Sequence, residues 1–438
     1  MSVVASRMAD LDASLAMHDE LLARRSVDVW VGAVPAFTLA RGGATLGQMI
    51  GPCRGARAFW QEAQAEWTAA EIAGLAAVHH ADDGEAANAP GFVLVLGGER
   101  PAASPFVRYP HVGPALVRYL NNHPALSYWF ACAQVGAGSR APRPDEGPRE
   151  QWDDLEVALD WLEQLADRGE PVQLAEVLGP LLGERSEVRV RSDGGIELPA
   201  IRMPERPGML AALAALFRSI VARLAVSHYR EPLVDWHDEL HDRFALPAAL
   251  HRDLRFVLGD LDEHGVGVPA ELRHQLEAWR TPPIACRLGD ATLELRQALE
   301  FGPHAAATQR WELAIDGSGP DRVLVAGRWV TLRDLGDGVR AIGVRRRVAD
   351  VGPHRGMPVV DPLVVEWAWQ GRAQRIELWA SRPGGEAYGD APRDATEALA
   401  RRQERISVTS REGGVEASRG WRETYPFTID LRRVTMDS

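Results

Sequence analysis

His123-Pro-Ala-Leu-Ser-Tyr-Trp-Phe-Ala-Cys-Ala-Gln-Val-Gly-Ala-Gly-Ser-Arg-Ala-Pro-Arg-Pro-Asp-Glu146 joins an apolar run to a charged, proline-stiffened loop. The run, Leu126 to Val135, ends at a Gly-Ala-Gly turn. The loop then presents Arg140, Arg143, Asp145 and Glu146. Gly136 and Gly138 permit positive φ, and Pro142 and Pro144 fix φ at two points of the loop. A loop stiffened in this way can hold a guanidinium or a carboxylate in place, as a site for an anionic group requires. Read from composition alone, a surface loop whose prolines only limit disorder is the simpler account.

Working outward, 438 residues can bury a large core and predict two or three domains. The balance of 46% hydrophobic and 25% charged residues is that of a globular protein. A net charge of −12 argues against general nucleic-acid binding, which needs clustered Lys and Arg; Arg345-Arg346-Arg347 is too short to change that. Cys53, Cys132 and Cys286 are too few and too scattered for a disulfide framework, and they fit a reducing cytosol. Residues 1–25 are charged throughout and read as a helix, with no signal peptide. Met209 to Val226 is apolar but broken by Arg218 and Arg223, so a buried helix is expected there and no membrane span. The expected location is cytoplasmic.

The chain order predicts an α+β protein. Met8, Leu11, Leu15 and Leu22 give residues 1–26 an amphipathic helix. Residues 27–281 mix strands and helices: strands at Val27–Val31, Phe92–Leu96 and Glu187–Arg191, and a helix over Phe59–Val78 with Trp60 and Trp67 on one face. Trp152–Leu165 reads as an amphipathic helix, and Ser192-Asp193-Gly194-Gly195 as a hairpin turn. A helical block occupies Met209–Ser227, Leu233–Phe244, Pro247–His264 and Pro269–Trp279. Residues 282–385 alternate in short segments between turn pairs such as Asp316-Gly317 and Asp337-Gly338, which reads as a β-sandwich-like module. Residues 386–438 read as a helix at Asp394–Arg405 and a polar tail.

Two patterns rest on spacing and local context alone. His237 and His241 are four apart, the spacing of a zinc helix, but Asp238 stands where a zinc hydrolase has Glu and no third ligand is marked. Ser127, Ser139 and Cys132 lack a nearby base or a nucleophile-elbow context. No Walker-type or dinucleotide glycine loop is present. The tryptophans read as packing, with Trp367 and Trp369 sharing a strand face that could form an interface patch.

Asn122-His123-Pro124-Ala125-Leu126-Ser127-Tyr128 together with Gly138 to Glu146 resembles the core signature of a bacterial amidoligase family, whose module usually sits C-terminal to a transglutaminase-like domain. Three further pieces match in the same order. They are Leu94 to Gly98 with Ser104-Pro105-Phe106, Glu239 to Phe244 with Leu246-Pro247, and Leu293 to Glu300. The resemblance spans about Val29 to Ile406. It implies an antiparallel sheet with helices, similar to glutamine synthetase and glutamate–cysteine ligase, and ATP-dependent joining of a carboxylate to an amine. It also makes Arg140, Arg143, Asp145, Glu146, Glu239, His241, Asp242, Arg243 and Arg296 candidates for substrate or phosphate binding.

Such chemistry needs magnesium held by carboxylate oxygens, and donors for polyphosphate. Compared with the resembled family, this chain departs at several of those points. Gly32-Ala33-Val34-Pro35 has valine where the family has Glu. Ala86 to Phe92 replaces a glycine-rich run ending in Asn-His. Arg185-Ser186-Glu187 keeps the acid of its motif and lacks the His. Glu197-Leu198-Pro199-Ala200-Ile201-Arg202-Met203-Pro204 keeps one Glu, with Arg202 at the position of the second. The segment from about Gly51 to Phe92 is also shorter than the family's.

The expectation is therefore a truncated, catalytically degenerate relative with no catalytic residue, metal or cofactor of its own, serving as scaffold or regulatory subunit. The alternative is an active ligase using ATP and magnesium through Glu187, Glu197 and Glu294. The partners implied by the resemblance are an ATP-grasp-type ligase, a small helical companion protein and a transglutaminase-like peptidase.

Overall fold

Alternation along three short strands builds the first sheet and decides which way it faces. Val31, Ala33, Leu94, Leu96, Ile196 and Leu198 are buried on one side, against the helices Ala56–Ile72 and Pro207–Val226. The strand order is Ile50–Cys53, Trp30–Val34, Val93–Gly97, Ile196–Leu198, Arg189–Val190, antiparallel throughout. The computed structural model describes residues 3–39, 44–46, 48–77, 92–131, 134–135, 143–146, 149–183, 186–204, 206–236, 240, 243–279, 284–288, 291–297, 300–301, 308–325, 327–336, 338–347, 363–369, 372–380, 406–410, 418–419 and 429–436. Two compact units emerge: residues 1–244 with 250–280, and residues 245–249 with 281–438.

In the first unit, Pro207–Val226 is the core helix. Pro207 stands at its first position, where no donor is missed, and alanines and leucines carry it forward. It is long and apolar enough to cross a membrane by composition, yet it is buried from Met209 to Leu224. Its two arginines are matched inside the protein. Arg218 donates to the carbonyls of Val29 (3.0 Å) and Arg54 (2.9 Å) and pairs with Asp19, while Arg223 pairs with Asp260 at 2.8 Å. Truncating a fully buried leucine such as Leu213 to alanine removes about 2–5 kcal/mol.

Several boundaries differ from the sequence reading. The helix expected over Phe59–Val78 is Ala56–Ile72; Gly74, at φ +71°, reverses the chain, and Leu75–Ala77 pairs with Ala36–Leu39. The first strand is Trp30–Val34, which places Val34 inside it. Glu187 sits in a bend ahead of a strand limited to Arg189–Val190. Leu233 to Trp236, expected as helix, has no regular structure, because Asn121 holds Val234 from both sides. Val234 N–H donates to Asn121 Oδ1 (2.8 Å), and Asn121 Nδ2 donates to the Val234 carbonyl (3.2 Å). A side chain thus meets the backbone groups that a helix would have paired.

The second unit is built of β-sheet. One sheet has the order Ile284–Leu288, Ala291–Gln297, Thr308–Asp316, Val339–Arg347, Arg333–Gly336, all antiparallel. A seven-stranded sheet runs Arg328–Thr331, Arg322–Val325, Leu363–Trp369, Arg372–Ala380, Ile429–Met436, Ile406–Ser410, Ser418–Arg419. The tail, read as polar, thus contributes three strands; Ile429–Met436 pairs antiparallel with Arg372–Ala380 and parallel with Ile406–Ser410. Trp367, expected as part of an exposed patch, is buried with Val323, Val325 and Val365. The helix expected at Asp394–Arg405 lies outside the described residues.

Candidate functional site

At the end of the Pro-rich loop, Arg143 and Asp145 are buried against the last turn of the helix Val112–Asn122. Pro144–Glu146 makes one 3₁₀ turn, and Glu146 Oε2 accepts from the Arg143 N–H (2.8 Å), half of a capping box. The Arg143 side chain is fully buried and all five of its donors are taken. Nε and Nη2 grip Asp145 (3.0 and 3.1 Å), Nη2 also reaches the Asn121 carbonyl (2.8 Å), and Nη1 reaches the Leu120 carbonyl (3.1 Å) and Ser127 Oγ (3.2 Å). Glu187 lies 3.8 Å from Nη1 and accepts a short hydrogen bond from Ser127. Tyr128 donates its hydroxyl to Glu146 at 2.7 Å, and its ring lies under the guanidinium at 5.5 Å.

One guanidinium therefore meets two buried carboxyl groups, Asp145 and Glu187, while Glu146 holds the Arg143 backbone N–H beside them. Burial pushes Glu187 up to about 7, against the pull of Arg143 and the Ser127 hydrogen bond, with Asp145 and Glu146 adding to the rise. Burial also raises Glu146 and drives the Tyr128 hydroxyl well above its ordinary value, while burial works against Arg143 and Asp145 and Glu187 more than compensate. Because each Arg143 donor already has a protein acceptor, none is available to a phosphate. The cluster is a joint between the loop, the helix and the Glu187 bend.

Asn122, His123 and Ala125 are tied into the fold in the same way. Asp253 accepts from the Ala125 N–H (2.9 Å) and pairs with His123 Nδ1 (2.9 Å), and Asn122 donates to the Tyr229 hydroxyl at 2.9 Å. These groups hold neighbouring elements together.

The other face of the first sheet is where strand-borne ligands would stand. In register across it lie Gly32, Val95, Glu197 and Arg189, with Val34 two residues along from Gly32. Glu197 is paired twice, to Arg191 at 2.9 Å and Arg189 at 3.6 Å. Arg191 in turn holds Asp193 at 2.8 Å, which keeps that carboxyl below its ordinary range. Magnesium asks for several unencumbered oxygens in octahedral array. Val34 offers none, Glu197 is neutralised by two cations, and Arg202 points its guanidinium at the Trp279 carbonyl (2.6 Å). Among the described residues no three His, Cys, Asp or Glu side chains converge as a metal site. The described residues of this face do not fit a magnesium–ATP centre.

Glu294 lies half-buried on Ala291–Gln297 in the second unit, opposite Ala314, and Arg296 is two positions along, opposite Glu312. Arg243 stacks its guanidinium over Phe244 at 5.2 Å. Arg140, Glu239, His241 and Asp242 fall outside the described residues, as does His237. The sequence reading missed Asn121, which spans two segments, and the arginines facing Glu197. The hairpin turn at Ser192–Gly195 carried the signal for the arginines, since its register sets Arg189 opposite Glu197.

A mixed α/β chain with antiparallel sheets, strand-borne acids and a buried arginine joint is the class so far defined. Residues 48–432 match the model of the family described as "Putative amidoligase enzyme", and the chain belongs to that family. No curated protein matches it.

Proposed function

We propose that this chain is a catalytically degenerate amidoligase relative, a scaffold or regulatory subunit of a peptide- or amide-ligase system, on a glutamine synthetase-like sheet followed by a β-sandwich-like domain. One observation carries the reading: on the sheet face where cation ligands would stand, Val34 replaces the acid and Glu197 is held by Arg189 and Arg191. What the described residues keep of the family's signature is tied into the packing, and the positions that differ are those at which the resemblance implies ligands. Removing a metal or phosphate contact from such an enzyme costs orders of magnitude in rate, so selection for turnover does not favour this arrangement. The proposed partners are those implied by the family: an ATP-grasp-type ligase, a helical companion protein or a transglutaminase-like peptidase, in the cytoplasm.

Calorimetry of the purified chain with ATP and magnesium tests it. The expected result is no binding in the micromolar range. Micromolar affinity, weakened by Glu197→Gln, would overturn the reading in favour of an active carboxylate–amine ligase.

A further inference from the structure

A groove of about 1210 Å³ runs along the first unit, between the N-terminal half of helix Val3–Arg24, the helix Ala56–Ile72, the start of Pro207–Val226 and the helix Ala270–Glu277. That exceeds the roughly 300–1,000 Å³ usual for small-molecule pockets. Its floor is apolar: Leu11, Trp60 and Trp67 are almost entirely buried beneath it, and Met8 is 45% exposed at its edge. Leu11 is seated against Gly208, where an added Cβ would come within 3.0 Å of its methyl group, so the floor is fixed. The rim carries Asp10, Glu71 and Glu271, none of them in an ion pair among the described residues, and among those residues it sets Arg206 and His274 against them.

We infer that this groove is a docking site for a basic amphipathic helix of a partner protein. Its walls are helices, and a further helix laid between them can place its apolar ridge against Met8 and the edges of Trp60 and Trp67 left open to the groove, in the way helices pack on one another. The rim acids select its polar face. Lys or Arg flanking the apolar stripe meets Asp10, Glu71 and Glu271, whereas a helix with acidic flanks meets like charge in a chain already at −12. Long basic side chains also lay their methylene stems on apolar surface while their charges reach the rim. For its purpose the inference rests on the scaffold reading, but its test involves no nucleotide, so either can fail alone.

The probe is a synthetic 18-residue helical peptide with leucines at heptad spacing and lysines elsewhere, and a counterpart with glutamate for lysine, followed by fluorescence anisotropy with the full chain. The expected result is saturable binding of the lysine peptide that weakens at least tenfold in Glu71→Lys/Glu271→Lys and remains within twofold in Asp154→Lys, on a distant helix. Equal weakening in Asp154→Lys would reduce the effect to net charge and overturn the inference. So would equal binding of the glutamate peptide, or binding indifferent to the rim substitutions. Sedimentation that finds a dimer broken by the same rim substitutions would give the groove to a second copy of the chain and overturn it as well. Unchanged circular dichroism and melting of these variants keeps loss of fold out of the comparison.

Discussion

Arg143 is the residue on which the matching loop depends. Its guanidinium satisfies Asp145, two helix-terminal carbonyls and Ser127 at once, inside the protein. Replacing it with methionine fills the space but leaves Asp145 and Glu187 without their cation, and breaking a buried pair from one side costs about 3–5 kcal/mol. Guanidinium denaturation of Arg143→Met should show that loss; a change under about 1 kcal/mol would show that the joint is not holding the loop. Glu187 adds a pH signature. Folded, it keeps its proton up to about 7, whereas its ordinary value is 4.5. The folded chain therefore binds the extra proton between those values, and stability falls as pH rises through that window and levels off above it. Glu187→Gln has no proton to lose, so its denaturation midpoint should be flatter than the parent's between about pH 5 and 7 and higher at about pH 8. Equal slopes for the two proteins would place the titration elsewhere. Little of this residue-scale arrangement was legible in the sequence. The arginine and acids of the loop stood out, but whether such a loop turns outward to an anion or inward to Asp145 depends on Asn121 and Ser127, which lie on other elements.

At the scale of elements, periodicity found most helices and strands, and it failed where a contact distant in sequence overrode local preference. The Pro207–Val226 helix and the short strands after Pro282 were legible because burial writes itself into spacing. Leu233 to Trp236 was not, because its backbone is held by a side chain more than a hundred residues earlier. The tail strands were not, because Ile429–Met436 gains its ladder only from Arg372–Ala380 and Ile406–Ser410. Gly98 shows a third case. It reads as a turn glycine, yet what requires it is space: a Cβ there would lie 2.5 Å from the backbone of Ala103 and Ser104. The strand Val93–Gly97 can therefore leave the sheet only with the following turn pressed against it. Gly98→Ala should cost about 1–3 kcal/mol through that overpacking, read as a lower melting temperature by calorimetry. Gly169→Ala and Gly74→Ala separate this from conformational strain, since both sit at positive φ with open space around their Cβ positions.

Over the whole molecule, the described residues of the matching stretch are tied into the fold, while on the first sheet's open face Val34 offers no oxygen and Glu197 is held by two arginines. Membership was legible in the sequence because Asn122 to Tyr128, Gly138 to Glu146 and the three further pieces occur in the same order as in the family. The state of the ligand face was legible at Val34 and Arg202 by comparison of motifs, but not at Glu197, which is retained in sequence and occupied in space. That distinction gives a prediction about reversal. If Val34 were the sole lesion, Val34→Glu would return an oxygen ligand to the face and magnesium would bind. Because Glu197 is already shared between Arg189 at 3.6 Å and Arg191 at 2.9 Å, one added carboxylate stands on a face whose retained acid has no oxygen to spare for a metal. Magnesium calorimetry on Val34→Glu is therefore expected to show no gain. Adding Arg189→Ser and Arg191→Ser removes both competing cations and is the smallest change from which submillimolar binding can be expected. Binding by the single variant would mean that the arginines yield to the ion, and the site would then stand one substitution from its ligands.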